Sequence, residues 1–247
     1  MKKFGENPGL IRKIHRNYKV ARTLPKIWRL ASPDIGYIKI TKVASSSVEL
    51  MLTKHLHCTL NGNDEADIDK KLIRRYADEY AIHINPYDFS GGKRPEFVFS
   101  FVRNPLDRLH SSYINKIVDQ RETGKRHNIF WNHGITLDMP FDEFVRCMMR
   151  TPDHKIDRHL RSQASCLWDG QKIIADFVGK FENMEEDWKF IAEKFGLPEL
   201  AHQNRSSKSE SKSPYTQETA MLVAERYKND IELFGYGSEV NRLIDAL

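Results

Sequence analysis

Residues 40–47 read Ile40-Thr41-Lys42-Val43-Ala44-Ser45-Ser46-Ser47. A β-rich run, Tyr37-Ile38-Lys39-Ile40, leads into them, and a helical pattern, Val48-Glu49-Leu50-Met51-Leu52, leads away. The order is strand, tight turn, helix. Such a turn presents unpaired backbone N–H groups at a helix N-terminus, where the helix dipole favours an anion. Small side chains let the backbone approach that anion, three hydroxyls add donors, and Lys42 adds a full positive charge. By its physics the stretch is a phosphate or sulfate cradle. It is not a Walker A loop: G-x-x-x-x-G-K-[ST] is absent, and the lysine precedes the small residues. A serine-rich helix cap with an exposed lysine is the bland alternative.

Working outward, Phe97-Val98-Phe99-Ser100-Phe101-Val102 reads as a buried strand that stops at Arg103-Asn104-Pro105, with a helix following through Leu109, Tyr113 and Ile117. Ile173-Ile174-Ala175-Asp176-Phe177-Val178 reads as another buried strand. A helix over 184–195 ends at Gly196 and Pro198, and a terminal helix over about 216–233 stops at Phe234-Gly235-Tyr236. Strands alternating with helices predict an α/β fold, a P-loop-like parallel β-sheet flanked by helices. Two polar stretches, 119–135 and 205–213, are surface loops or lids.

The chain has 247 residues, 40% hydrophobic and 30% charged, which suits one packed domain. Mean hydropathy is −0.60 and no run approaches the ~20 apolar residues of a membrane span. Three cysteines (Cys58, Cys147, Cys166) exclude a disulfide scaffold and fit a reducing compartment. Residues 1–30 carry nine Lys or Arg against Glu6, a net +8; with +5 for the whole chain, the remainder carries −3. The basic pI therefore belongs to an extension over 1–30, and the domain is expected over 31–247. Leu10, Ile14, Tyr18 and Ala21 fall at helical spacing in that extension, and Pro25 limits the helix. It reads as a basic helix resting on an anionic surface, membrane or polyanion, or else as a solvated helix packed on the domain. Specific nucleic-acid binding is not expected.

The second constellation is Arg103-Asn104-Pro105-Leu106-Asp107-Arg108-Leu109-His110-Ser111-Ser112-Tyr113. Arg103 stands where a strand ends, the ligand-binding edge of an open α/β sheet. Ser111 lies about two helical turns on, so the pair can grip one phosphate if the helix folds back over it.

These two segments together resemble the motifs of the PAPS-dependent sulfotransferases, and most closely those of the carbohydrate branch called sulfotransferase family 2. The likeness continues in Asp157-Arg158-His159-Leu160-Arg161-Ser162-Gln163, in Asp176-Phe177-Val178-Gly179-Lys180-Phe181-Glu182-Asn183, and from Tyr215-Thr216 to Phe234-Gly235-Tyr236. It covers roughly residues 35–237. Thr41 replaces the family's usual proline, Ser45 its usual glycine, and Leu160 and Ser162 its aromatic residue and proline. Serine lacks glycine's freedom at positive φ, so the Ser45 departure bears on donor binding.

The resemblance implies sulfuryl transfer from 3′-phosphoadenosine 5′-phosphosulfate (PAPS) to a hydroxyl of a carbohydrate or glycolipid, without a metal. It implies that Lys42, Val43, Ala44, Ser45, Ser46 and Ser47 hold the 5′-phosphate side and neutralise the leaving charge. Arg103 and Ser111 would hold the 3′-phosphate, with Arg205, Ser206 or Lys208 folding over the nucleotide. His83 looks like the family's histidine base, and a neutral imidazole suits the task; His159 and Glu49 are the alternatives. For the acceptor, Trp131 would stack on a sugar face, Lys125 or Arg126 would pair with a uronate or sulfate, and His159 and Gln163 would line the same side. Two other readings stay open: a degenerate PAPS-binding module without transfer, and a kinase-like P-loop protein. The initiating Met1 and the sparse cysteines point to a cytoplasmic protein, membrane-peripheral through residues 1–30; the other reading is a Golgi lumenal domain lacking its anchor.

Overall fold

In the computed structural model, which describes residues 24–62, 67–89, 94–124, 130–200 and 213–247, five strands form one sheet. They are β1 (Lys26–Ala31), β2 (Asp34–Lys39), β3 (Ala81–His83), β4 (Phe97–Val102) and β5 (Phe177–Lys180), and their order is β3-β1-β2-β4-β5. β2 pairs with β4, and β4 with β5, in parallel. β1 runs antiparallel to both β2 and β3, so β1 alone is reversed and the sheet is mostly parallel. Helices α1 (Ser45–Asn61), α2 (Lys70–Tyr80), α3 (Pro105–Tyr113), α4 (Phe141–Met149), α5 (Ala164–Leu167), α6 (Met184–Phe195), α7 (Gln217–Arg226), α8 (Lys228–Leu233) and α9 (Gly237–Asp245) flank it. The fold class is the α/β class expected.

The near-continuous apolar runs of β2 and β4 follow from burial on both faces of the sheet. Tyr37, Phe99, Phe101 and Trp188 are fully buried. The Tyr37 and Phe99 rings lie 5.3 Å apart and Phe101 meets Trp188 at 6.4 Å. Gly179 lets Phe101 lie on β5: a Cβ there would stand 2.5 Å from the ring.

Four local expectations are corrected. The extension does not run to residue 30, because Lys26–Ala31 is a strand with Ile27, Trp28 and Leu30 buried; the helix expected upstream falls on residues 1–23, outside the described residues. The run 173–178 is a strand only from Phe177; Ile173 makes an isolated bridge to Trp168. The terminal helix is two helices, broken at Tyr227, whose buried hydroxyl donates to the Leu160 carbonyl. α9 follows Tyr236 where no helix was expected.

The register fixes the site. Ile38 lies opposite Ser100, so β2 and β4 end side by side, and residues 40–47 and 103–111 leave the same edge of the sheet. Asn104 caps α3, its side chain accepting from Leu106 N–H at 3.0 Å, and Pro105 takes the first helical position. After Tyr113 the chain makes a π-helical turn, Ile114–Val118, a form often found at functional sites.

Candidate active site

At that edge lies a cavity of about 340 Å³. Lys42, Ala44, Ser45 and Ser46 line it from the cradle, and Arg103 and Ser111 from the end of β4 and from α3. The two constellations, some sixty residues apart in sequence, thus share one cavity. Its lining holds five cationic side chains, Lys39, Lys42, Arg103, Lys116 and Arg158, and no carboxylate.

The cradle is built by two left-handed residues, Lys42 (φ 69°) and Ala44 (φ 58°). Alternating left-handed and ordinary residues turn successive N–H groups into one concavity, a nest suited to an anion. Ala44 caps α1, and its carbonyl accepts from Ser47 and Val48 N–H. Ser47 N–H is thereby engaged, while the amides of Ser45 and Ser46 head the helix without a preceding turn to bond. Ser45 is the first residue of the helix and does not have positive φ. Its departure from glycine therefore strains nothing; the strain sits on Lys42 and Ala44. Val43 is fully buried and Ser47 is not in the lining, so of the expected cradle residues these two offer no side chain to the cavity.

Charge crowding is legible in Lys42. Burial, then Lys116 and Arg103, push its ammonium from 10.5 down to about 8. Arg103 is held from behind: its guanidinium stacks 4.2 Å over the Phe181 ring and Nη1 donates to the Lys42 carbonyl at 3.4 Å. Its Nε is buried without a protein partner, a donor that an anion in the cavity would satisfy. A nucleotide carrying two phosphate-type groups fits this set: a nest and lysine at one end, an arginine with an unspent donor at the other.

Arg108, a candidate for an internal acid partner, instead donates to the carbonyls of Thr41, Arg161 and Arg158 at 3.0, 2.9 and 3.4 Å. It ties the cradle to segment 157–161, and Thr41 Oγ1 adds a bond to the Arg158 carbonyl. Gln163, expected to face the acceptor, is fully buried. Its amide bonds both the N–H and the carbonyl of Arg103, and its backbone N–H donates to Asp230 at 2.9 Å. That is a structural role, and the acceptor assignment for Gln163 is corrected.

His83 does not line the cavity. It sits on the edge strand β3 with an exposed ring and Nδ1 3.1 Å from the Leu24 carbonyl. β1 separates it from β2, which places it about 10 Å across the sheet from Lys39. Glu49 is buried and accepts from Trp28 Nε1 and Lys39 Nζ at 3.2 and 2.6 Å. The histidine in the lining is His159. Lys125, Arg126, Arg205, Ser206 and Lys208 fall outside the described residues, as does the side chain of Trp131. Sequence reasoning missed Lys39, Asn115, Lys116, Arg158 and Phe181. Only Asn115 carried a signal, one helical turn after Ser111. Among the described residues no group of three or more His, Cys, Asp or Glu side chains is placed to hold a metal ion.

A sequence model of the sulfotransferase family matches residues 26–237. Carbohydrate sulfotransferase 14 of Danio rerio is 26% identical over 81% of this chain and 59% of its own length. The proteins of the same name from Mus musculus and Homo sapiens are 28% and 27% identical, each over 64% of this chain and 43% of their own length. The chain thus spans roughly half the length of these curated relatives. No solved structure matches it. The relatives correct the cytoplasmic placement: they are vertebrate carbohydrate sulfotransferases, the branch with the Golgi members, and only the lumenal alternative agrees with them. No helix among the described residues is long and apolar enough to cross a membrane.

Proposed function

Because the chain belongs to the sulfotransferase family, we propose that it transfers a sulfuryl group from PAPS to a hydroxyl of a carbohydrate. One observation carries the proposal: Lys42, the Ala44–Ser46 turn and Arg103 converge on a single cavity whose lining holds no carboxylate. The donor supplies an activated sulfur bonded to a phosphate leaving group. Lys42 and the first amides of α1 hold the 5′-phosphate and meet the charge that grows on the bridging oxygen. Arg103, with its unspent Nε, and Ser111 hold the 3′-phosphate, which separates this donor from nucleotides lacking it. Lys116, Arg158 and Lys39 extend the cationic lining. The names of the relatives support a carbohydrate as acceptor. The catalytic domain begins by Lys26, with the basic segment before it as an extension.

The test is transfer of labelled sulfate from PAPS to a panel of chemically desulfated polysaccharides. Incorporation by the wild type, reduced about 10²–10³-fold in Lys42→Ala, is the expected result. No incorporation with any acceptor, from a chain that binds the nucleotide, would favour a binding module without transfer.

A further inference from the structure

We propose that His159, oriented by Asp157, is the general base that deprotonates the acceptor hydroxyl. The proposal rests on the sulfuryl-transfer reading and deepens it.

His159 lines the same cavity as Lys42, Ser111 and Lys116, and its side chain is 13% exposed. Its Nδ1 lies 2.6 Å from Asp157 Oδ1. The same carboxylate oxygen accepts the His159 backbone N–H at 2.8 Å, so the acid is fixed against the residue it orients. A proton on Nδ1 shared with Asp157 leaves the Nε2 lone pair as the acceptor. The segment is also tied down. Ser112 Oγ donates to the His159 carbonyl at 3.0 Å, Arg108 bonds the carbonyls of Arg158 and Arg161, and His133 Nε2 accepts from Asp157 N–H at 3.1 Å. These anchors reach α3 and, through Arg108, the cradle itself, which holds the base in register with the donor site.

The groups acting on the imidazole are Asp157 and Arg158 from its own segment, and Lys116 from the π-helical turn, with the Phe130 ring 6.4 Å away. Burial, Lys116 and Arg158 lower its pKa against the pull of Asp157, and the net direction is down from 6.5. The ring is therefore neutral at pH 7. Neither rival offers this: His83 lies outside the lining with its ring exposed, and Glu49 is engaged by Trp28 and Lys39.

In the step, His159 Nε2 takes the hydroxyl proton as the acceptor oxygen bonds to sulfur. The bond from sulfur to the phosphate oxygen breaks, and its electron pair stays on that oxygen beside Lys42. The products are the sulfate ester and 3′-phosphoadenosine 5′-phosphate (PAP), and the imidazolium returns its proton to water.

The experiment compares wild type, His159→Ala, Asp157→Asn and His83→Ala in labelled-sulfate transfer and in titration with PAP. His159→Ala is expected to lose about 10²–10⁴-fold in kcat, to keep PAP affinity within a few fold, and to recover part of its rate with added imidazole. Asp157 is a positioning residue: Asp157→Asn lowers kcat and moves the acidic limb of the pH profile to lower pH, because the carboxylate no longer supports the imidazolium. His83→Ala keeps its rate within about twofold. Full activity in His159→Ala, or an acidic limb lost in His83→Ala and unmoved in Asp157→Asn, would overturn the assignment while leaving sulfuryl transfer standing. A wild type that binds PAP but transfers to nothing would overturn both.

Discussion

The side chain of Gln163 brackets the peptide of Arg103: Oε1 accepts the Arg103 N–H at 2.9 Å and Nε2 donates to the Arg103 carbonyl at 2.8 Å. An amide side chain thus does for one residue what a neighbouring strand does for many, at the point where β4 runs out. Asp230 of α8 backs it, accepting from the N–H groups of Gln163 and Ala164 at 2.9 and 2.7 Å. The C-terminal helices are thereby coupled to the placement of the arginine.

Gln163→Ala should accordingly destabilise the fold. It leaves the Arg103 peptide groups without partners and takes one donor from buried Asp230, at a cost of about 2–4 kcal/mol. Thermal unfolding should show a fall of roughly 5–15 °C at this chain length. An unchanged melting temperature with a raised KM for acceptor would restore the acceptor role this residue was first given.

Lys42 predicts a pH dependence of donor binding. Its ammonium must be charged to meet a phosphate, and in the free protein it titrates near 8. Affinity for PAP is full well below that pH and falls as pH rises through it, to about a tenth at pH 9. An anion in the cavity raises the lysine pKa, so binding at pH 8 takes up a proton. Calorimetry in two buffers of different ionisation heat should detect roughly half a proton taken up by wild type and none by Lys42→Met.

Arg103 predicts selectivity. Arg103→Ala should lower PAP affinity about 10–100-fold and leave AMP binding within a few fold. Arg103→Lys should recover only part, because an ammonium cannot stack flat on Phe181 and still present a fork of donors. Equal losses for both nucleotides would place the arginine away from the 3′-phosphate.

The cradle backbone predicts opposite outcomes for two neighbouring glycine substitutions. Ala44 is left-handed at φ 58°, so Ala44→Gly should relieve about 1 kcal/mol and raise the melting temperature by a few degrees. Ser45 is the first helical residue, so Ser45→Gly should cost roughly 0.5–1 kcal/mol and bring no gain in PAP affinity. A gain in affinity from Ser45→Gly alone would mean that the loop changes conformation on binding.

Much of this was legible in the chain. The buried runs of β2 and β4 are long and apolar, and the punctuation around them, Asn104-Pro105 and Gly196, is local chemistry that a sequence displays openly. Strand β1 was hidden because Lys26 and Arg29 alternate with buried Ile27, Trp28 and Leu30 within a cationic stretch, so charge masked pattern. Lys42, Arg103 and Ser111 could be found because strand ends and helix starts announce them. Lys116 and Arg158 could not, since a π-helical turn and a loop position them, and neither has a sequence period. The general base was misplaced for a related reason: His83 does stand at the same sheet edge as the cradle, but the reversed strand β1 lies between. Gln163 looked like a polar residue awaiting a ligand; only tertiary contact shows its amide to be spent on Arg103.

The central claim is that one cavity holds a 3′-phosphorylated nucleotide, and titration of the wild-type chain with PAP against AMP in one calorimetric series tests it directly. The account predicts saturable binding of PAP at least tenfold tighter than AMP, with proton uptake at pH 8. Equal affinity for the two nucleotides, or no binding of either, would contradict it.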